Sequence, residues 1–278
     1  MEVIPNDYGI LLSQQSYIVD LLTRTKMMDA KPVHTPLPTS PPITLHSGSP
    51  LKDPIEYRTI VGSFQYLLIT RPNIGFVVNK LSQYMHQPTT EHWILVKRLL
   101  RYLCGSFSDG IQLYHDSPLS LHAFSDPAWA GNKDDFTSTS AYVVYIGRNP
   151  ISWSSKKQRT VARSSTEAEY RSVAATVAEL NWVSSLLIEP DVVLPQSLVI
   201  YCDNIGATNL FSNPVFHSRM KHVAIDFHLI REQVQNGTLR VSYVSSDDQL
   251  VDALTKPLPK SWFLSLKSKF GLVTRPQS

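Results

Sequence analysis

The chain has 278 residues, 42% hydrophobic and 18% charged, a balance that excludes a disordered tail or a fibrous repeat and allows two domains of ordinary length. No apolar run approaches the roughly 20 residues of a membrane span, and the opening MEVIPNDYGILLSQQ does not read as a secretory signal, so an intracellular, non-secreted protein without a membrane partner is expected. A formal net charge of +3 permits contact with nucleic acid without requiring it, and Cys104 and Cys202 lack the spacing of a zinc site or a disulfide framework.

Residues 9–26 read as a short strand running into a helix, with Tyr17, Leu21 and Leu22 at helical spacing. Residues 31–54 carry seven prolines among Ser, Thr, His and Gly, and an exposed linker is expected there. Helices follow at 57–68, 76–85 and 90–103, the last with the stripe Trp93, Val96, Leu100 and Leu103, so residues 55–110 form a small helical segment. Between residues 110 and 118 helical spacing gives way to short apolar runs divided by turn residues, which marks a domain boundary.

Beyond it, strands are expected at 119–124, 140–146 and 151–155, then a long helix at 166–187 and a strand at 198–201. Helices at 204–211 and 223–236, a strand at 239–244 and a helix from 248 complete the pattern. A meander followed by alternating strands and helices implies an α/β domain over residues 117–258, a mixed five-stranded sheet flanked by helices. Residues 259–278 are left as a C-terminal helix and tail.

Four acids occupy positions that solvation explains poorly: Asp126, Glu169, Asp203 and Asp252. Asp126 follows the apolar run LHAF and Asp203 follows LVIYC, where strand ends of a mixed sheet form ligand sites, although turn or helix-cap roles also fit. Glu169 stands four residues before Val173 and eleven before Leu180, on the stripe that faces the sheet, which leaves the capping of that helix to Glu167. Asp252 is expected one turn inside a helix capped by Asp247 or Asp248, with a solvated helix face as its alternative. Convergence of these like charges is unfavourable unless cations offset the repulsion. Mg2+ suits such a site, and two ions about 4 Å apart could activate water and stabilise the leaving oxygen of a phosphodiester, with Mn2+ able to substitute.

FSDPAWAG, ISWSSKKQRTVARSSTEAEYRSVAAT, YCDNIGA, KHVAIDFHLIRE and DQLVDALTKPLP, in that order, together resemble the ribonuclease H region of copia-type LTR retrotransposon Pol polyproteins. Upstream, EYRTIVGSFQYLLITRPNIGFVVNKLSQYMHQPTTEHWILVKRLLRYL resembles the segment after the reverse transcriptase palm. The resemblance implies a ribonuclease H-like sheet over 117–258, preceded by the end of a palm-like segment (1–30), a linker (31–54) and a helical thumb or connection (55–110). It implies Asp126, Glu169, Asp203 and Asp252 as metal carboxylates and endonucleolytic hydrolysis of the RNA strand of RNA–DNA hybrids. Other Pol segments are implied as partners, and a cytoplasmic particle with access to the nucleus as the location.

Lys156, Lys157, Arg159 and Arg163 make a basic run in a stretch free of acids from Phe136 to Thr166, a candidate contact for backbone phosphates. Ser164, Ser165 and Asn204 are candidate substrate contacts or helix caps, Trp153 a packing residue, and His222 with Asp226 a structural pair at helical spacing. Two features depart from the family: Ala128 stands where relatives carry an acid before Trp129, and Pro127 stiffens that turn. A Tyr-x-Asp-Asp motif is absent, so no polymerase activity is expected. The competing readings are an inactive element fragment and a nucleic-acid-binding module without chemistry.

Overall fold

The computed structural model describes residues 1–212 and 224–275, and the chain divides into two compact units, Met1–Asp116 with Lys256–Ser278, and Ser117–Thr255.

The first unit is built on an antiparallel sheet. Strands β1 (Glu2–Asn6), β2 (Gly9–Ser13) and β3 (Asp109–Tyr114) pair in that order, and β9 (Leu272–Thr274) closes the far edge against β3. Gly9 lies at φ +140°, where a Cβ would overlap the Leu113 carbonyl oxygen, so the close β2–β3 approach requires glycine. Helices α1 (Gln15–Arg24), α2 (Ile55–Leu67), α3 (Gly75–Ser82) and α4 (Thr90–Cys104) bury Ile18, Leu21, Phe64, Val78, Val96 and Leu100, among others. Trp93 leaves the expected stripe of α4 and instead carries the Lys97 ammonium over its ring.

Residues 31–54 form no helix and only the single bridge Pro50↔Thr89, as their prolines dictate. They are mostly exposed, as expected of a linker, and are also fastened by neighbouring side chains. Tyr84 Oη donates to the Ile43 carbonyl (3.0 Å), Arg98 Nη2 to Thr35 Oγ1 (2.9 Å) and Arg101 Nε to the Lys31 carbonyl (2.7 Å). Proline-restricted backbone loses less entropy when strapped down in this way, so a few such bonds suffice.

The expected C-terminal tail belongs to the same unit. Helix α9 (Lys260–Lys269) and β9 are anchored by a buried charge cluster, in which Asp109 Oδ2 meets Lys267 Nζ at 2.5 Å and Arg71 Nη2 at 3.8 Å. Thr274 Oγ1 donates to Asp109 Oδ1 (2.8 Å), and Arg71 donates to the Ser106 carbonyl and hydroxyl, both at 2.8 Å.

The second unit holds the mixed sheet. Strands β4 (Leu121–Ala128), β5 (Thr139–Ile146) and β6 (Asn149–Lys157) form the antiparallel meander, while β7 (Leu198–Cys202) lies parallel to β4 and β8 (Leu239–Tyr243) parallel to β7. The order is β6-β5-β4-β7-β8, with β4 in the centre. Helix α5 (Ser165–Ile188) packs on β4, β5 and β7, and α6 (Ile205–Ser212) and α7 (Ala224–Gln235) pack against it. Tyr170, Val173, Val177 and Leu180 of α5 meet Leu121, Ala123, Ile200 and Cys202 of the sheet in one buried core. Small side chains set the approach: Ser125 and Ser172 hydroxyls lie 3.1 Å apart where α5 crosses β4.

Candidate metal centre

Chain topology brings the acids together. Because β4 and β7 are parallel neighbours, their carboxyl ends lie side by side, and the amino-terminal turns of α5 pack over them. Asp126 is inside β4, paired with Ala141, rather than in a loop beyond the strand. The β4–β5 register continues through Pro127↔Ser140 and Ala128↔Thr139, so the two family departures sit in regular pairing. Pro127 lies past Phe124↔Tyr201, the last β4–β7 pair, where its missing N–H breaks no bond to β7.

Glu169 lies one turn into α5 and points inward on the stripe it shares with Val173 and Val177. Capping falls to its neighbour: Ser164 Oγ accepts from Glu167 N (3.2 Å), and Glu167 Oε2 accepts from Arg163 N (2.9 Å). Asp203 directly follows β7, and its Oδ2 accepts from Ser246 Oγ at 2.9 Å.

One carboxylate oxygen from each of Asp126, Glu169 and Asp203 falls in a set whose members all lie within 4.8 Å of one another. Asp126 is 7% exposed and Glu169 5%, and Glu169 Oε2 is buried without a hydrogen-bond partner. Burial, followed by the charges of Asp126 and Asp203, pushes the Glu169 carboxyl up to about 9. The same surroundings push the buried Cys202 thiol up to about 12, burial first and Glu169 next, which keeps it an inert packing group.

The raised Glu169 value has a cost in the metal-free protein. Its folded value lies above the ordinary 4.5, so the native chain binds more protons than the unfolded one between about 4.5 and 9, and stability falls as pH rises through that window. Glu169→Gln is therefore expected to raise the melting temperature of metal-free protein at neutral pH by roughly 3–6 °C. Scanning calorimetry in chelator checks this; an unchanged or lower melting temperature contradicts it.

Asp252 is not one of the three. A turn at Ser246–Asp248 ends at Gln249, whose side chain donates to the Ser125 carbonyl (3.1 Å), and a separate one-turn helix, α8 (Asp252–Thr255), then starts at Asp252. Asp252 is thus the first residue of a helix rather than one turn inside it, and it is 4% exposed. Four residues contacting these acids or their supports went unnoticed in the sequence: Ser172, Ser246, Gln249 and Thr255. Hydroxyls and amides carry little pattern, and only Thr255, three residues after Asp252 on the same helix face, had a usable signal.

The basic run divides. Lys156, Arg159 and Arg163 are exposed, but Lys157 is committed to Asp135, with Nζ 2.5 Å from Oδ2. Ser164 caps α5, and Asn204 Oδ1 accepts from Ala207 N (3.0 Å) at the start of α6, so both act as caps; Ser165 is exposed at the first position of α5. Trp153 is half-buried, and Trp129 Nε1 donates to the Ala162 carbonyl at 3.1 Å, which ties the loop after β4 to the segment before α5. The His222–Asp226 pair lies outside the residues whose side chains are described.

No protein-family model matches the chain. It is 59% identical over 270 residues, 97% of its length, to the "Retrovirus-related Pol polyprotein from transposon RE2" of Arabidopsis thaliana. The chain is thus similar to copia-type retrotransposon Pol polyproteins. It spans 18% of the length of that polyprotein. It is also 44% identical over 177 residues to the "Uncharacterized mitochondrial protein AtMg00810" of the same plant, covering 64% of itself and 73% of the relative. Among solved structures, LC11-RNase H1 aligns with 49% of the chain and 93% of its own length at 14% identity and a TM-score of 0.39. The second unit has an α/β fold, a mixed five-stranded sheet flanked by helices. Among the described residues, no helix is long and apolar enough to cross a membrane.

Proposed function

We propose that this chain hydrolyses the RNA strand of RNA–DNA hybrids endonucleolytically, with divalent cations held by Asp126, Glu169 and Asp203 and with Asp252 as the fourth acid at the head of α8. The observation that carries the reading is the three-carboxylate set within 4.8 Å, containing a buried Glu169 oxygen that no protein donor satisfies. Hard oxygen donors of this kind fit Mg2+, with Mn2+ as a substitute. When bound, the ions supply Lewis-acid polarisation of phosphate oxygens and activation of the attacking water.

The chain's own groups do the rest. Asp126 is fixed within a paired strand and Asp203 by the Ser246 hydroxyl, so the acids are organised before substrate arrives. Lys156, Arg159 and Arg163, exposed on the approach to α5, offer charge to the phosphates of the hybrid. Ser164, Ser165 and Asn204 lie at the starts of α5 and α6, where free backbone N–H groups favour phosphate. Other segments of the Pol polyprotein are the proposed partners in which this activity serves reverse transcription.

The test is cleavage of an end-labelled RNA–DNA hybrid in Mg2+, beside single-stranded RNA, duplex DNA and the Asp203→Asn variant. Internal cuts confined to the RNA strand of the hybrid, lost in the variant and in chelator, support the reading. Hybrid binding without cleavage by the wild-type chain refutes it in favour of a binding module.

A further inference from the structure

We infer that Thr255 is the positioning residue of the acidic centre, its hydroxyl orienting Asp126 for cation binding; the inference rests on the metal-dependent reading above. Thr255 closes α8 and is 1% exposed. Its Oγ1 lies 2.8 Å from Asp126 Oδ2 and 3.4 Å from the Asp252 carbonyl oxygen three residues earlier. A hydroxyl carries one proton. The shorter contact has the charged acceptor, and charge-assisted hydrogen bonds are roughly twice as strong as neutral ones, so Thr255 donates to Asp126.

The bond does two things that few other side chains could do at this position. The carboxylate torsion of aspartate is broad, so an unheld Asp126 samples orientations in which its oxygens are not aligned with those of Glu169 and Asp203; the donor narrows that range. It also offsets part of the mutual repulsion without bringing a positive charge. A lysine or arginine there would neutralise Asp126 and compete with the cation, whereas a hydroxyl leaves the full negative charge available.

Burial makes this hydroxyl hard to replace. Asp203 takes a comparable bond from Ser246, but that contact is exposed, and water can serve in its place. The Asp126–Thr255 bond is buried, between residues 129 apart in sequence, and α8 itself packs on β4, β5 and β6. The one-turn helix therefore carries an acid, Asp252, at its first position and the hydroxyl that reaches Asp126 at its last.

The experiment uses the full chain and Mn2+ alone, followed by the loss of the free-ion electron paramagnetic resonance signal, with melting curves in chelator and in Mn2+. Thr255→Val, nearly isosteric, is expected to weaken Mn2+ affinity about 10–100-fold, in the range found for residues that orient metal ligands. Thr255→Ser, which keeps the hydroxyl, should bind within a few-fold of wild type. Thr255→Val should also show a smaller rise in melting temperature on adding Mn2+. If Thr255→Val does not melt cooperatively, Thr255→Ala takes its place with the same expectation. Equal affinity in Thr255→Val and wild type overturns the inference, as does an equal loss in Thr255→Ser, which would trace the effect to the methyl group. Folded wild-type protein that takes up no Mn2+ overturns the metal-dependent reading and this inference together, whereas binding indifferent to Thr255 overturns this inference alone.

Discussion

Asp203→Asn is expected to lower the rate of hybrid cleavage about 10^3-fold or more in Mg2+ while changing hybrid affinity only a few-fold. The size follows from what the substitution removes. An amide of the same shape offers one neutral oxygen where a carboxylate offered charge, and several kcal/mol of transition-state stabilisation by the cation go with it. Affinity should hold because exposed Lys156, Arg159 and Arg163, not the acids, face the phosphates in the proposed complex. Substrate and acids are both negative, so the variant could even bind hybrid slightly more tightly in chelator. Single-turnover cleavage together with filter binding separates the two effects. Parallel losses of affinity and rate would instead indicate that Asp203 supports the fold.

Asp109→Ala should give the largest stability loss in the first unit, about 3–5 kcal/mol. Asp109 is 2% exposed, and it faces Arg71, which is wholly buried, and Lys267. Truncation leaves Arg71 in the interior with Ser106 and Asn73 as neutral partners but removes the carboxylate that faces it. The loss also frees Thr274 and Lys267, the two side chains through which β9 and α9 hold on to Asp109. A fall in melting temperature of roughly 10 °C or more is expected, with proteolysis appearing first in residues 260–275. Asp109→Asn, which can still accept from Thr274, should lose less. Equal melting of Asp109→Ala and wild type would show that the cluster contributes nothing.

Much of the second unit was legible because its elements carry local patterns. The runs LHAF, LVIYC and LRVSY are short apolar segments bounded by turns, and all three are strands of the mixed sheet. Glu169 could be assigned inward because Val173, Val177 and Leu180 continue its stripe, and all three are buried in the core. The carboxylate set was legible for the same reason, since Asp126 and Asp203 follow apolar runs that become adjacent parallel strands.

What the sequence concealed is long-range. Residues 109–114 have a strand-like composition but pair with β2 and β9, about a hundred residues before and more than one hundred and fifty after, and no periodicity records such partners. The proline-rich strap reads as a linker because its fixing bonds come from Tyr84, Arg98 and Arg101 on other elements. Helix α8 is a single turn, too short for an apolar stripe, so the sequence suggests a longer helix around Asp252, and the spacing of Thr255 from Asp252 does not reveal its partner Asp126, 129 residues away. In each case the deciding contact lies outside the window that a local reading can use.

Anomalous scattering from crystals of the chain soaked in Mn2+ decides whether the acids of the second unit hold divalent ions. An anomalous peak is expected about 2.1 Å from carboxylate oxygens of Asp126, Glu169 and Asp203, reduced or absent in Asp203→Asn crystals. Carboxylates clustered as described here, with no anomalous peak among them at saturating Mn2+, would contradict such binding.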